Sequence, residues 1–250
     1  MTANSSAEFA VRPFIKNHPE QMMQQMAIWA ESDDLHQRRL ASEGCRPRLP
    51  WAMALPAFKS DPAPLLPILE RLKADESLYV RRSVANSLND IAKDSPAIVI
   101  GIAQNWLGES PEVDWVVKHA CLSLVNQAQQ EALALFGYGG VAHLELGEFA
   151  VDPGVQMGNK LNFSFTLTAA QGALGKLRIE YAIDFVKRNG QQSRKVFKVS
   201  ESVNSGTIKT VSRSFSFKPI STRNYYPGLH RLSAIVNGQV LASRDFQLMA

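Results

Sequence analysis

The sequence predicts an α + β multi-domain chain, with an α-helical repeat domain over residues 1–137 and an all-β sandwich over residues 141–250. Three observations predict it. Apolar residues recur at helical spacing from Pro19 to about Gly137, with Pro, Gly and Asp at the breaks. One helical segment recurs along that half. After Phe136-Gly137-Tyr138-Gly139-Gly140 the pattern changes to alternating apolar and polar residues in short runs, and the glycines mark a hinge.

Helices are expected over 19–30, 33–42, 64–73, 78–92, 96–106 and 113–127. Asp61-Pro62, Ser95-Pro96 and Ser110-Pro111 each place a capping or turn residue before a proline that suits a helix start. The segment Tyr79-Val80-Arg81-Arg82-Ser83-Val84-Ala85 aligns with Trp115-Val116-Val117-Lys118-His119-Ala120-Cys121, 36 positions later. His36-Gln37-Arg38-Arg39-Leu40-Ala41 is a weaker copy 43 positions before the middle one. A period near 40 is the mark of stacked helix pairs of the HEAT type, which bury their apolar faces only against one another. The recurring basic pairs are then expected to form a line of positive charge along one surface.

Strands are expected over 144–150, 161–167, 176–187, 194–200, 208–217, 229–236 and 240–248, with hairpin turns at Asn189-Gly190 and Asn237-Gly238, both read as needing positive φ. Seven short strands in this span predict an immunoglobulin-like sandwich.

Composition narrows the function. Apolar residues make up 45% and charged residues 20%, as in a soluble globular protein. No apolar run approaches the roughly 18 residues that span a bilayer, and the first residues lack the basic and apolar regions of a secretory signal. Two cysteines, Cys45 and Cys121, are too few for a disulfide scaffold, so a cytoplasmic location is expected. Residues 1–140 hold 13 Lys/Arg and 16 Asp/Glu, whereas residues 141–250 hold 14 and 7. A basic second half suits a polyanionic partner. The five histidines show no ligand spacing, and neither a phosphate-binding glycine loop nor a nucleophile elbow is present.

The densest chemistry lies in Arg38-Arg39-Leu40-Ala41-Ser42-Glu43-Gly44-Cys45-Arg46-Pro47-Arg48-Leu49-Pro50-Trp51. Arginines suit phosphate, a carboxylate suits a developing cation, and an indole offers a flat apolar face. A plain reading is a salt-bridged helix end running into a proline-punctuated loop. Taken singly, Glu8 reads as a first-turn acid, Asp90 as a solvated residue near a helix end, Trp51 as inter-helix packing, and Arg81 and Arg82 as surface charges with carboxylate partners.

The segment 42–51, the opening Glu8-Phe9-Ala10-Val11-Arg12-Pro13-Phe14 and the basic repeats resemble the AlkC branch of the DNA alkylation repair glycosylases. Ser221-Thr222-Arg223-Asn224-Tyr225-Tyr226-Pro227-Gly228 resembles the immunoglobulin-like domain of that branch's two-domain members. The resemblance implies a cofactor-free, monofunctional glycosylase. It would remove cationic N3-methylated bases, chiefly 3-methyladenine and 3-methylcytosine, from double-stranded DNA without extruding the base. By it, Glu8, Glu43 and Asp90 are the acidic site residues, with Asp90 or Glu43 positioning the water, and Trp51 packs on the deoxyribose. Arg46 and Arg48 are then expected to contact the backbone, as are Arg38, Arg39, Arg81 and Arg82. In the sandwich, Lys187, Arg188, Arg194, Lys195 and Arg223 are candidates for the minor-groove side. No metal and no membrane are implied, and the protein is expected to act as a monomer. That family's helical domain starts further upstream, so the chain reads as N-terminally shortened. The alternative is a helical scaffold that binds protein or DNA without turnover.

Overall fold

The computed structural model describes residues 7–219 and 224–250, in two compact units that divide between Gln127 and Ala128. The first unit is helical: α1 (Ala7–Ala10), α2 (Arg12–Asn17), α3 (Pro19–Ala30), α4 (Leu35–Glu43), α5 (Pro56–Ser60), α6 (Leu66–Leu72), α7 (Leu78–Ile91), α8 (Pro96–Trp106), α9 (Pro111–Ala120) and α10 (Leu122–Asn126). Proline occupies the first turn of α2, α3, α8 and α9, where its missing N–H costs nothing. Asp34 caps α4 by accepting from the His36 N–H at 2.8 Å, and Ser110 caps α9 by accepting from Val113 at 3.2 Å.

The helices that carry the recurring basic pair lie side by side: α7 packs between α4 and α9. Val80, Val84 and Leu88, spaced one turn apart, bury the inner face of α7. Ser42 and Ser83 join α4 to α7 through an Oγ–Oγ hydrogen bond of 2.7 Å. The single helix expected over 113–127 is interrupted at Cys121. There the Asn89 amide donates to the Ala120 carbonyl at 3.0 Å, so a side chain from the neighbouring repeat takes up a helical acceptor. Helices α1, α2 and α5 are too short to show a period and were not expected.

The second unit begins with α11 (Gln130–Leu135) and continues as β1 (Leu144–Val151), β2 (Gly154–Gln156), β3 (Lys160–Ala169), β4 (Gly175–Val186), β5 (Gln192–Asn204), β6 (Ile208–Ser216), β7 (Gly228–Val236) and β8 (Gln239–Met249). The sheets have the orders β1-β3-β6 and β2-β8-β7-β4-β5. Each of the seven expected strands has its counterpart. The short β2 was missed, and it pairs in parallel with β8. The core between the sheets contains Leu161, Phe163, Phe165, Leu167, Ile179 and Phe246.

Only one of the two expected turns uses two positive φ angles. Asn237 (φ 47°) and Gly238 (φ 76°) do. At the other, Gly190 alone turns positive, with its N–H on the Lys187 carbonyl and the Lys187 N–H on the Gln191 carbonyl. Gly238 has a second reason to be glycine, since a Cβ there would stand 2.7 Å from Ala128 and Leu133. The Asn237 amide also donates to Gly139 at 2.9 Å, and Lys176 Nζ donates to Phe136 at 2.6 Å, tying the segment around α11 to the sheet.

His230 on β7 is buried and stacked on Phe246. Its Nε2 lies 3.0 Å from the Tyr226 carbonyl, while the Val186 N–H points at Nδ1 from 3.4 Å. A neutral ring protonated on Nε2 satisfies both. Burial holds its pKa below the ordinary histidine value, against the opposing pull of the Tyr226 carbonyl. The unfolded chain therefore binds this proton first as pH falls, and the sandwich loses stability from about pH 6.5 down to the folded-state value. Amide exchange protection of β4 and β7 is expected to fall as pH drops below about 6.5. In His230→Phe that slope should flatten; an unchanged slope would assign the effect to other groups.

Candidate active site

Glu43 is the last residue of α4, and Asp90 is in the last turn of α7. Because α4 and α7 are adjacent copies of one repeat, their C-terminal ends come together. Arg46 bridges the two acids. After the turn at Gly44-Cys45 its chain folds back, and Nη1 donates to Glu43 Oε1 at 2.6 Å while Nε and Nη2 each lie 3.0 Å from Asp90 Oδ2. All three are buried, with exposures of 5% for Glu43, 8% for Arg46 and 2% for Asp90. Burial disfavours the Arg46 cation, but the Glu43 and Asp90 carboxylates outweigh it and hold its pKa above the usual value. Asp90 is therefore not a solvated helix-end residue.

Two further cations complete the cluster. Arg39, one turn before Glu43, brings Nη2 to 3.5 Å from Glu43 Oε2, stacks over the Tyr79 ring at 3.9 Å and donates to the Tyr79 carbonyl at 2.7 Å. Lys93 donates to Asp90 Oδ1 at 3.1 Å.

Trp51 stands apart from this network. Its side chain is 99% exposed and its φ is +60°. A left-handed φ in a bulky residue costs on the order of 1–3 kcal/mol, and a bare indole gains nothing from burial to offset it. Inter-helix packing does not account for Trp51. The loop beneath it is closed by hydrogen bonds from Ala52 N to Leu49 O and from Leu55 N to Pro47 O. Arg12 on α2, fully buried, locks the loop's base by donating to Gly44 O at 2.9 Å and to Met53 O at 2.5 Å. Desolvation, together with nearby Arg46, lowers the pKa of Arg12. Gly44 has no room for a side chain, since a Cβ there would lie 2.8 Å from Val11.

The remaining expected site residues disperse. Glu8 is half-buried on α1, which packs against α4, but among the described residues it makes no hydrogen bond or ion pair. The expected line of outward arginines is largely turned inward. Arg38 forks onto Asp75 at 2.6 and 3.2 Å and also donates to the Ser32 and Asp33 carbonyls. Arg81 donates to the Asp75 and Glu76 carbonyls. Arg81 spends these donors on the turn before α7, and Arg38 divides its own between that turn and the one before α4. Arg46, expected to contact a backbone phosphate, is committed to the two acids instead. Arg48 remains half-exposed but forks onto Asp94 at 2.6 and 3.1 Å. Arg82 is exposed and, among the described residues, has no hydrogen bond or ion pair. In the sandwich, Arg194 lies 3.8 Å from Asp184, and Lys195 lies over the Phe197 ring. Lys187 and Lys195 line a hollow of about 180 Å³ with Phe185, Ser193, Asn224 and Tyr226. Arg223 lies outside the described residues.

Sequence reasoning missed Arg12 and Lys93. Lys93 carried a usable signal, since it stands three residues after Asp90. Arg12 did not, because nothing local announces a buried arginine. Cys45 is close to Glu43 in the chain, yet burial pushes its thiol up to about 12, so it supplies no thiolate at neutral pH. What this arrangement offers chemically is a pair of fixed carboxylates on adjacent helices and, apart from them, a protruding indole.

Comparison with known proteins agrees with the order of a helical part followed by an Ig-like sandwich. A family model described as "DNA alkylation repair enzyme" matches residues 1–106, and one described as "Uncharacterised protein YhaZ, C-terminal Ig-like domain" matches residues 145–250. The uncharacterized protein YhaZ of Bacillus subtilis is 48% identical over 249 residues, covering 99% of this chain and 69% of its own. The alkylpurine DNA glycosylase AlkC of Pseudomonas fluorescens, solved bound to DNA containing an abasic site analog, superimposes with a TM-score of 0.91 at 41% identity. That match covers all of this chain and 70% of AlkC. With the helical repeats, the Ig-like sandwich and the sequence likeness in agreement, the chain belongs to the DNA alkylation repair enzyme family, in the form that carries a C-terminal Ig-like domain.

Proposed function

We propose that the protein is a monofunctional DNA glycosylase. It hydrolyses the N-glycosidic bond of cationic N3-methylated bases, 3-methyladenine and 3-methylcytosine, in duplex DNA without extruding the base. The observation that carries this reading is the buried Glu43–Arg46–Asp90 bridge, together with the full exposure of Trp51.

A base methylated at N3 already bears positive charge and leaves without being protonated. The C1′–N bond breaks with its electron pair going to the base, and the deoxyribose is left with oxocarbenium character. Carboxylates held rigidly in a dry environment stabilise that cation without reorganising. Asp90 or Glu43 then orients a water for attack at C1′ and accepts its proton. Arg46 fixes both carboxylates at the angle set by its planar fork. Trp51, raised on a loop that Arg12 pins, suits contact with the deoxyribose of a nucleotide still in the stack. In this reading the base stays in the stack, unlike the extruded bases of other glycosylases.

DNA is the partner consistent with the AlkC likeness, and exposed Arg82 and half-exposed Arg48, with Arg194 and Lys195 of the sandwich, are the proposed backbone contacts. The reaction so written needs no metal or cofactor, and a monomer in the cytoplasm could perform it. The test is release of 3-methyladenine from methylated duplex DNA by purified protein. Folded protein that binds the duplex but releases no base would leave a DNA-binding scaffold in its place. Arg82→Ala is expected to weaken binding and to reduce the slope of log affinity against log salt by about one unit, as loss of one phosphate contact requires. An unchanged slope would remove Arg82 from the interface.

A further inference from the structure

The candidate active site holds more positive than negative charge. Glu43 and Asp90 are surrounded by Arg12, Arg39, Arg46 and Lys93, each within hydrogen-bonding or Coulombic reach of one or both acids. A site that must welcome a cation cannot keep all four in place, because like charges at close range oppose binding. Three of them are fixed. Arg12 is buried on two backbone carbonyls, Arg46 is buried on both acids, and Arg39 is stacked on Tyr79 and bonded to its carbonyl.

Lys93 differs on every count. It follows α7 in a turn, its side chain is 42% exposed, and its ammonium sits on a flexible stem with one partner among the described residues. That partner is decisive. Arg46 takes Asp90 Oδ2, and Lys93 takes Oδ1. Lys93 thus occupies the Asp90 oxygen that a substrate cation, or the water that follows it, would need.

Resting on the glycosylase reading above, we propose that Lys93 is a displaceable counter-ion. It neutralises Asp90 in the free protein and yields Oδ1 to the cationic sugar when DNA is bound. Duplex DNA supplies an alternative partner for the freed ammonium in its phosphates. A neutral nucleotide leaves the Lys93–Asp90 pair in place, whereas a cationic one must displace it, so the pair tempers the site's preference for a cation.

The test compares affinities for two duplexes, one with a neutral tetrahydrofuran abasic analogue and one with its cationic pyrrolidine counterpart. In Lys93→Met the preference for the cationic duplex is expected to grow about fivefold, the scale of a partly exposed ion pair. Lys93→Gln should behave alike, and Lys93→Arg should keep the wild-type ratio. A ratio that stays constant or shrinks in Lys93→Met and Lys93→Gln overturns the proposal, including the case in which both affinities fall together through a lost phosphate contact. If the wild type releases 3-methyladenine while the ratio does not move, only the Lys93 role fails. If the wild type neither releases base nor prefers the cation, the glycosylase reading fails and the Lys93 role with it.

Discussion

Asp90→Asn and Glu43→Gln are each expected to reduce single-turnover release of 3-methyladenine by 100-fold or more while leaving the protein folded. A carboxylate about 4 Å from a full positive charge contributes about 4 kcal/mol at an effective dielectric near 20. At about 1.36 kcal/mol per decade that bounds the effect at roughly a thousandfold. The realised value is smaller, because the substrate base is itself cationic and its ground state also benefits; only the excess felt by the transition state accelerates the reaction. Both amides keep one acceptor for Arg46, whose donors now reach Glu43 Oε1 and Asp90 Oδ2, so folding survives while the charge is lost. The two variants also separate the roles. If Asp90 orients the water, Asp90→Asn is the more damaging. The reverse order assigns the water to Glu43, and full activity in both variants removes the carboxylates from the chemistry.

The fold was legible wherever a period could be counted. Residues 96–106 were expected as a helix and form α8, and each alternating run in the second half became a strand. Elements of six residues or fewer, such as α1, α2 and β2, are shorter than the window in which a period shows. The acids were legible through the Glu43 segment and the repeat that carries Asp90, because copies of one helix placed side by side bring equivalent ends together. The fate of the arginines was not. Local sequence labels arginine as surface charge, since it is almost never fully buried unless paired. The partners here are distant in the chain: Arg38 meets Asp75, Arg46 meets Asp90, and Arg12 meets the carbonyls of Gly44 and Met53. Each of these pairs joins different helices or the loops between them, so the helical repeat had to be assembled before the charges found one another. Trp51 is the converse case. Its residue type argued for burial, and only its backbone shows that the chain accepts a strained φ to keep it out.

Arg46→Ala is expected to be the most destabilising single change at the site, lowering unfolding free energy by about 3–5 kcal/mol. The figure reflects what is left behind more than what is removed. Glu43 and Asp90 would remain buried, with Arg39 3.5 Å from the first and Lys93 3.1 Å from the second as their closest compensation. Against a typical total of about 5–15 kcal/mol, a loss of that size empties much of the folded state near physiological temperature. Arg46→Lys should recover part of it, since an ammonium can face one acid but cannot fork across two. The double variant Arg46→Ala with Asp90→Ala distinguishes a lost attraction from a stranded charge. Stranding requires the double variant to be less damaging than Arg46→Ala alone, because removing Asp90 removes the carboxylate that Arg46 had neutralised; a lost attraction makes it less damaging only than the sum of its members. Urea denaturation followed through the helical signal measures the wild type, Arg46→Ala, Arg46→Lys, Asp90→Ala and the double variant. Strict additivity would mean that Arg46 and Asp90 contribute independently, and the buried bridge would then be a contact without energetic consequence.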